Sequence, residues 1–451
     1  MSLTRFSVLH AGRLCPGRIT RQSYLRRGAV AILWFAWVVA GVEQTAVAQQ
    51  RLAKDVYGVG ILGNCCTHGA GICAMFKARG DTKVVAAYES NPRRAKELGE
   101  VLGAPLAVSY DAVIENPEVD FVAVTCDPCD KAAMIAKAAR LGKHVFLNKP
   151  PCESLDSARQ IAQAVREHPV WLVHDIPMVR FVPVYARLLK GVRDRPYGKV
   201  LGYHHLFGMN FDPAFDLQGA WPERLDPPAR SGGGEMTNMG CYAIDFAVAM
   251  LGKPNAVTAK CRKEWDVYRQ AGVENFGQIV LDYGDFFAFL EVGKQQLVGP
   301  LQHSNQLTVN FEHKTLLIDA NANVVTVNHV PVSWEEFSQG AAAVGSVEQL
   351  LLAMREGKPP TSGVESIVDA TEVLMAAYES IVQGGRPVAL PLVSGENPLV
   401  RSKNDQSRNK RPTKNSPPRC GTSAGRRRRG RPRRGSSEGV AWGRCAVRDG
   451  A

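Results

Sequence analysis

Short apolar runs alternate with amphipathic segments through the first part of the chain, beginning near Asp55. Each run has the length of a strand that is buried on both faces of a sheet. The strands predicted in this way are Val59–Leu62, Val84–Ala87, Val119–Thr125, His144–Leu147 and Trp171–Val173. The segments between them carry apolar residues three to four positions apart and predict helices. This alternation is typical of an α/β fold with a doubly wound parallel sheet.

The pattern changes after residue 177. Helices are predicted at Phe181–Val192, Met239–Leu251, Ser346–Arg355 and Glu365–Gln383. Period-two alternation between tight turns predicts strands at Gly198–Phe207, Asn275–Asp282, Phe286–Val292, Gln306–Phe311, Thr315–Asp319 and Val324–His329. We therefore predict a parallel-sheet domain over 55–177. An α+β domain over 178–392 follows, with a large, mostly antiparallel open sheet covered by helices on one face.

The net charge of +12 belongs to the carboxyl-terminal tail. Residues 393–451 hold 16 Lys/Arg and 4 Asp/Glu, so the preceding 392 residues carry no net charge. The tail is rich in Arg, Ser, Pro and Gly, which predicts a basic disordered segment. The balanced charge of the folded body gives no indication of nucleic-acid binding.

An export signal is predicted at the amino terminus, within residues 1–50. Residues 1–27 contain six arginines and no acidic residue, and an apolar run over 28–42 follows them. The run is followed by Ala46-Val47-Ala48, which matches the small-residue pattern of a cleavage site. The signal predicts a periplasmic protein; Arg26-Arg27 directly before the run suggests the twin-arginine route, although Ala29 stands where that route usually has a larger residue. An uncleaved anchor, or a non-structural extension of a cytoplasmic protein, is the alternative. The apolar run is short for a membrane span, so we expect no stable membrane insertion.

Residues Tyr57–Glu89 follow the plan of a dinucleotide-binding βαβ unit: strand, glycine turn, helix, strand and terminal carboxylate. Gly63 would allow the sharp turn, and the helix N-terminus would offer amide groups to a pyrophosphate. Glu89 would accept hydrogen bonds from the ribose hydroxyls and repel a 2′-phosphate, which favours NAD over NADP. Cys65 and His68 replace the second and third glycines of the G-x-G-x-x-G pattern, so this motif alone is weak.

The 11 cysteines show no zinc-binding spacing. Cys126 and Cys129 form a C-x-x-C pair outside any thioredoxin-like pattern, so we interpret them as small side chains beside a cofactor and not as a redox pair. The His, Asp and Glu residues show no metal-ligand spacing, and we predict no metal site.

Four stretches, in this order, resemble the Gfo/Idh/MocA family of sugar and polyol oxidoreductases, across about residues 55–392. The first is the βαβ unit. The second, GKHVFLNKPP at 142–151, is similar to the family's strand ending in Glu-Lys-Pro, and the third, SGGGEMTNMGCYAIDFAVAMLG at 231–252, to its glycine-rich loop and active-site helix. The fourth, 355–392, is similar to its closing helix and strand. The resemblance implies a Rossmann domain followed by a substrate and oligomerisation domain, with a homodimer or homotetramer formed through the second sheet.

The resemblance also implies a nicotinamide at the carboxyl edge of the parallel sheet, with Lys149 as the active-site lysine. An ammonium group beside the reacting carbon–oxygen bond lowers the cost of negative charge on that oxygen. Pro150 fixes the backbone there, in family members commonly through a cis bond. The residues predicted to contact the cofactor are Gly63, Asn64, Cys65, Thr67, His68, Glu89, Thr125, Cys126, Asp127, Asn148, Lys149 and Pro150.

The active-site helix departs from the family pattern. Family members place an orienting Asp and, four residues on, a proton-accepting His on one helix face; here these positions are Asn238 and Tyr242. Tyr replaces the His in some members, and a phenol beside Lys149 could have a lowered pKa and transfer a proton. Asn148 likewise replaces the Glu before Lys-Pro. We predict Lys149, Tyr242 and Asn238 as catalytic residues that also contact substrate, with a merely packed Tyr242 as the alternative. Asp245 either faces the pocket or makes a local contact.

Three further residues are predicted to contact substrate. Asp175 ends a parallel strand, at an edge where ligands bind. Arg180 lies in an R-F-x-P sequence that resembles the start of the family's second domain, so it either contacts substrate or stabilises the domain junction. His205 and its neighbour His204 lie on a strand, so one of them faces inward. The loop Met209–Arg230 is expected to set substrate identity.

We predict an NAD(P)-dependent oxidoreductase, with NAD favoured, that interconverts a secondary alcohol and a ketone on a sugar, polyol or cyclitol. The substrate hydroxyl would lie between Lys149 and Tyr242, giving its proton to Tyr242 and its hydride to C4 of the nicotinamide. Two alternatives stay open. One is a glycoside hydrolase of the same family that uses bound NAD transiently, and the other is a non-catalytic nucleotide- or ligand-binding protein.

Overall fold

The structure is a computed structural model that describes residues 54–212, 227–298, 302–340 and 344–409, without the side chains of Thr67, 295–298 and 405–409. The predicted export signal, most of the loop Met209–Arg230 and the tail beyond residue 409 lie outside the described residues. Within the described residues, no helix combines the length and the apolar character needed to cross a membrane.

The first domain, as far as it is described, is built on a five-stranded parallel sheet with the strand order β2-β1-β3-β4-β5. Its strands are β1 (Tyr57–Leu62), β2 (Thr82–Tyr88), β3 (Phe121–Val124), β4 (His144–Asn148) and β5 (Leu172–Asp175). Its helices are α1 (His68–Lys77), α2 (Pro92–Leu102), α3 (Tyr110–Ile114), α4 (Pro128–Arg140) and α5 (Leu155–Glu167). The predicted doubly wound α/β domain is confirmed.

Strands β1, β3, β4 and β5 are buried along their whole length, because packed elements cover both faces of the sheet. Their register aligns the carboxyl ends. Val124 pairs with both Leu62 and Leu147, and Asn148 pairs with Asp175. The residues that follow these ends therefore lie along one edge, where ligands of such sheets bind.

The second domain contains, within the described residues, a nine-stranded sheet with the order β13-β12-β11-β10-β6-β9-β8-β7-β14. Its strands are β6 (Val200–Phe211), β7 (Ala256–Arg262), β8 (Phe276–Asp282), β9 (Phe287–Val298), β10 (His303–Phe311), β11 (Thr315–Asp319), β12 (Val324–Val327), β13 (Val330–Val332) and β14 (Val388–Ala389). Strands β6 and β9 pair in parallel, and the other described pairings are antiparallel. The predicted mostly antiparallel sheet is confirmed.

The described second half also contains helices that pack on one face of this sheet or against the first domain. They are α6 (Pro183–Asp194), α7 (Pro228–Ser231), α8 (Glu235–Asn238), α9 (Gly240–Leu251), α10 (Asp266–Ala271), α11 (Trp334–Ser338), α12 (Ser346–Glu356), α13 (Val364–Val382) and α14 (Pro398–Asn409). Helix α9 is buried at ten of its twelve positions. Leu350 of α12 packs in one cluster with Phe146 and Val173 of the first sheet. The other face of the second sheet exposes Phe287 and Phe289.

The tail and strand β7 are among the features that differ from the sequence expectation. Disorder was predicted from Val393, but the fold continues. Asn397 is buried, its Nδ2 donates to the backbone oxygens of Glu153 (2.7 Å) and Gly232 (2.8 Å), and α14 follows it. Strand β7 was not predicted, because small and basic residues in its sequence leave only a weak apolar alternation.

Candidate active site

Lys149 directly follows β4 at the carboxyl edge of the first sheet and reaches the start of the helical layer of the second domain. Its Nζ donates a hydrogen bond to Oδ1 of Asn238 at 2.6 Å and lies 5.5 Å from the centre of the Tyr242 ring. The three residues are nearly buried, with 5%, 6% and 5% of their surface exposed for Lys149, Asn238 and Tyr242. The structure thus brings together the three residues that were predicted to be catalytic.

A second lysine, Lys131 of α4, holds the segment that carries Lys149. The Lys149–Pro150 peptide bond is cis, as the resemblance implied. Lys131 is 1% exposed, and its Nζ donates to the backbone oxygens of Asn148 (2.6 Å) and Pro150 (2.7 Å). Burial of its charge lowers the pKa of Lys131. The ammonium group therefore binds the backbone on both sides of Lys149.

The carboxamide of Asn238, at the end of α8, is bonded at both its ends. Its Oδ1 accepts from Lys149, and its Nδ2 donates to Oε2 of Glu235 at 2.8 Å. Glu235 is fully buried, and its Oε1 accepts a hydrogen bond from the hydroxyl of Tyr268 at 2.8 Å. A chain of hydrogen bonds thus runs from Tyr268 through Glu235 and Asn238 to Lys149.

Tyr242 lies on α9, four residues after Asn238. Its ring stacks on Phe207 of β6, with centroids 5.0 Å apart and an angle of 26° between the planes. Stacking of this kind fixes the ring by packing. The phenol is therefore held in one place beside the Lys149 ammonium group.

Asp175, at the end of β5, belongs to a second polar cluster. Its Oδ1 accepts from the hydroxyl of Ser346 at 2.7 Å, and its Oδ2 lies 3.5 Å from Nδ2 of Asn148. Oδ1 of Asn148 is 2.7 Å from Nδ1 of His68 in α1. Burial is the largest effect on the Asp175 carboxyl group and raises its pKa to about 6. The hydrogen bonds from Ser346 and Asn148 and the positive charge of Lys149 lower this pKa, but by less than burial raises it. Asp175 therefore changes charge close to neutral pH.

The turn between β1 and α1 requires its glycines. Gly63 has φ +95°, and a Cβ there would lie 2.4 Å from Cα of Cys126. A Cβ on Gly69 would lie 2.0 Å from the carbonyl oxygen of Gly63. Thr125 closes the turn, since its Oγ1 donates to the Gly63 oxygen at 2.6 Å and its own carbonyl accepts from the amide of Cys65 at 2.9 Å. The close approach of α1 to the strand ends is the geometry that presents a helix N-terminus to a pyrophosphate, so this part of the site fits a dinucleotide.

Asn64 caps α1 from within the turn. Its Oδ1 accepts from the amide of Ala70 at 2.8 Å, and its Nδ2 donates to the backbone oxygen of Arg94 at 3.1 Å and to the Glu97 carboxylate at 3.0 Å. One amide of the first turn of α1 is therefore bonded to the protein itself. The side chain of Thr67, also predicted to contact the cofactor, lies outside the described residues.

Glu89 ends the segment after β2, as expected, but its carboxylate is bonded within the protein. Its Oε2 accepts from the amide of Asn64 at 2.6 Å, and its Oε1 accepts from Nη2 of Arg94 at 3.0 Å. Arg94 also binds Asp127 at 2.7 Å, and Arg230 donates to the same Asp127 carboxylate. The Glu89 side chain has no exposed surface. A ribose hydroxyl would therefore need a rearrangement of the surrounding chain to reach this carboxylate, which revises the expectation of an open carboxylate.

Arg180 and His205 have surroundings that indicate structural roles in place of the predicted substrate contact. Arg180 pairs with Asp245 and donates to the backbone oxygen of Thr361 at 2.9 Å, which corresponds to the domain-junction alternative. His205 is fully buried, and its Nε2 lies 2.9 Å from Oδ1 of Asn305. Burial lowers the pKa of His205 to about 4, so this ring stays neutral in the core.

Cys126 and Cys129 are free thiols. Burial raises the pKa of Cys129 to about 12 and that of Cys126 above its ordinary value. Protonated thiols are poor nucleophiles, and Cys126 is buried while Cys129 is partly exposed, which agrees with their interpretation as small side chains and not as a redox pair. Among the residues that the structure describes, no three His, Cys, Asp or Glu side chains are grouped to hold a metal ion.

The sequence analysis did not identify Lys131 and Glu235 as functional residues, although the spacing of each relative to its neighbours indicates an inward-facing position. Lys131 precedes Ile135 and Ala138 at helical spacing, and those two residues form the buried stripe of α4. Glu235 lies three residues before Asn238, a spacing that places two side chains on one helix face. Both charges therefore lay on faces that could be identified as facing inward.

Comparisons with known proteins agree with this architecture. Residues 57–175 match a family model described as an oxidoreductase family with an NAD-binding Rossmann fold, and residues 185–316 match one described as the GFO/IDH/MocA C-terminal domain. D-xylose 1-dehydrogenase (NADP(+)) 2 of Haloferax volcanii is 26% identical over 72% of this chain and 97% of its own length. D-xylose dehydrogenase of Paenarthrobacter nicotinovorans is 28% identical over 38% of this chain. The match spans only 44% of the length of that relative.

Solved structures show the same fold. The crystal structure of GenD2 from gentamicin A biosynthesis, in complex with NAD, superimposes with a TM-score of 0.62 at 23% identity, over 75% of this chain and 97% of that one.

Proposed function

Because the chain belongs to the Gfo/Idh/MocA family of oxidoreductases, we propose that it interconverts a secondary alcohol and a ketone on a sugar, polyol or cyclitol with NAD(P). The observation that carries the proposal is the convergence of Lys149, Asn238 and Tyr242 at the carboxyl edge of a dinucleotide-binding sheet. The names of the two similar D-xylose dehydrogenases support a sugar as the substrate.

The side chains have distinct tasks in this reaction. A bound nicotinamide would supply the hydride acceptor or donor. Lys149 would donate a hydrogen bond to the substrate oxygen and stabilise the negative charge that develops there. In its phenolate form, Tyr242 would accept the hydroxyl proton during oxidation, and as a phenol it would return that proton during reduction. Asn238 holds the Lys149 ammonium group in place through their 2.6 Å hydrogen bond.

NAD is the proposed cofactor in preference to NADP. Support comes from two buried carboxylates, Glu89 after the end of β2 and Asp127 after the end of β3, which would repel a 2′-phosphate. Arg94, which binds both carboxylates, and Arg230, which binds Asp127, offset part of this charge. The ratio of kcat/KM for the two cofactors, measured with one sugar, is the test. A ratio that favours NADP would overturn the preference while leaving the reaction class intact.

The reaction is tested on the purified full chain. Any nucleotide that co-purifies is identified by mass spectrometry, and NADH or NADPH formation is followed over a panel of sugars, polyols and cyclitols. Lys149→Met should abolish turnover with an unchanged circular dichroism spectrum. Lys96→Met, at a lysine whose side chain is 80% exposed in α2, is the matched control and should remain active.

Other outcomes separate the alternatives. Full activity in Lys149→Met would contradict the proposed chemistry. Tight nucleotide binding without turnover of any substrate would indicate the non-catalytic alternative, which the amides of Asn148 and Asn238 in place of family carboxylates make worth testing. Sugar release without net NADH formation would indicate a glycoside hydrolase, an alternative that the dehydrogenase relatives do not support.

We also propose that the chain is exported through its first 50 residues. The basic start, the apolar run and the Ala46-Val47-Ala48 sequence support this. Fractionation of cells that express the full chain, with amino-terminal sequencing, should find a periplasmic product that begins after Ala48. A cytoplasmic product that retains residue 1 would contradict export.

A further inference from the structure

Glu235 is a buried carboxylate with no role in the reaction described so far. It begins α8 directly after the glycine-rich loop 232–234, and its amide donates to the backbone oxygen of Glu274 at 2.9 Å. Its two carboxylate oxygens accept from Asn238 Nδ2 and from the Tyr268 hydroxyl, each at 2.8 Å. A charge buried at this depth is costly unless it is bonded, so its place beside Asn238 calls for a physical reason.

The bonding rules of Asn238 supply that reason. A carboxamide accepts through its oxygen and donates through its nitrogen, and a half-turn exchanges the two. The Lys149 ammonium group can only donate, and an ionised Glu235 can only accept. Asn238 lies between them and satisfies both partners in a single orientation, with Oδ1 towards Lys149 and Nδ2 towards Glu235.

We propose that Glu235 is a positioning residue that orients the Asn238 carboxamide and thereby aims the Lys149 ammonium group at the substrate oxygen. An ionised Glu235 would place a negative charge opposite the ammonium group, with the Asn238 amide between them. The catalytic meaning of this inference rests on the proposed oxidoreductase function, whereas the hydrogen-bond chain does not depend on a bound cofactor.

The carboxylate of Glu235 restricts which side chains position 238 can accept. An aspartate there would place a second carboxylate about one hydrogen-bond length from Glu235, and two like charges so close cannot both stay ionised without a large cost. Neutralising Glu235 removes this conflict, because a glutamine amide can donate to the new carboxylate. The two positions are therefore expected to tolerate one carboxylate between them.

A double-mutant cycle on the cofactor-free full chain tests this coupling. Asn238→Asp should lower the unfolding temperature by about 3 °C or more at pH 8, and by less at pH 5, where one of the two carboxylates takes up a proton. Adding Glu235→Gln should recover at least half of that loss. Glu274→Gln is the matched control. Glu274 is also buried, bonds the amides of Gly234 and Met236, and should give no recovery.

Turnover gives a second readout. Glu235→Gln alone is expected to lower kcat by about tenfold with a small effect on KM, because the ammonium group is less well fixed, and the double variant should regain most of kcat. Additive losses in the cycle, or equal recovery by Glu274→Gln, would overturn the proposal. Recovery of stability in a chain that turns over no sugar with either nucleotide would support the orientation of Asn238 and overturn the proposed function instead.

Discussion

Lys131 donates hydrogen bonds to the carbonyl groups on both sides of Lys149, so one buried lysine fixes the backbone from which the other projects. The two ammonium groups have different surroundings. Lys131 faces backbone oxygens inside the first domain, whereas Lys149 reaches the Asn238 carboxamide of the second. The direction of the proposed catalytic group therefore depends on a residue that need not touch substrate.

Replacing Lys131 with methionine should lower kcat/KM by ~10²-fold, because a shift of about 1 Å in the reacting group can cost that much. The unfolding free energy should change by less than about 3 kcal/mol, since two unbonded carbonyl groups oppose the relief of a buried charge. Steady-state kinetics and urea unfolding measure the two effects. Lys137→Met, on the same helix but bonded to surface carboxylates, is the control. Equal activity of the two variants would contradict a positioning role for Lys131.

Tyr242→Phe should lower kcat by 10²- to 10⁴-fold, the usual contribution of a proton-transfer group. The ring and its stack on Phe207 remain, so the unfolding temperature should change little. Tyr283→Phe removes a hydroxyl that donates to the backbone oxygen of Gly252, outside the Lys149 cluster, and serves as the control. Retained turnover in Tyr242→Phe would favour the alternative of a merely packed tyrosine.

Asp175→Asn should stabilise the protein at pH 7 relative to pH 4. The folded state raises the pKa of Asp175 from 3.8 to about 6, so its stabilising contribution is complete below pH 3.8 and is lost as the pH rises through 6. An asparagine at this position cannot ionise, so the stability of the variant does not fall in this way as the pH rises. The difference in unfolding free energy between variant and parent should therefore shift by about 2 kcal/mol in favour of the variant between pH 4 and pH 7.

Urea unfolding at both pH values measures this shift. Asp266→Asn, at a side chain that is 78% exposed, is the control. Its difference in unfolding free energy from the parent should not shift in favour of the variant between pH 4 and pH 7. A pH-independent difference for Asp175→Asn would show that the burial of this carboxyl group does not perturb its titration.

Phe289→Asp should lower the mass of the homodimer or homotetramer that the family resemblance implies, because it places a charge on the exposed face of the second sheet. Phe287 and Phe289 are 50% and 49% exposed and lie two positions apart, hence on one face of β9, the face that no helix of the described chain covers. Light scattering of the purified chain gives the mass. Val330→Asp, at a 63% exposed residue on the edge strand β13, is the control. A monomeric parent protein would refute the proposed assembly.

The first sheet was predictable because its strands are buried on both faces and therefore read as unbroken apolar runs. The end of β4 at Asn148 and the start of α5 after Ser154, which caps the helix through the amide of Ser157, both follow from local sequence. In the second domain the open face and short edge strands weaken the pattern. Strand β7 was missed because its small and basic residues leave only a weak apolar alternation.

The site was predictable only where a residue's position in a motif determines its role. Lys149, Asn238 and Tyr242 follow from the resemblance and lie together. The partner of Glu89 could not be inferred, because nothing in the sequence shows that Arg94 turns inward. His205 and Phe207 lie on the same side of one strand, yet only the packing of that strand shows that the histidine is sealed in the core.

Asn397 ties together two loops that come from different domains. It bonds the carbonyl of Glu153, four residues after Lys149, and that of Gly232, six residues before Asn238. Any motion that separates the two domains at this point has to break both bonds or carry the carboxyl-terminal segment along. Cleavage of the chain shortly before residue 397 would therefore weaken the connection between the two domains close to the Lys149–Asn238 hydrogen bond.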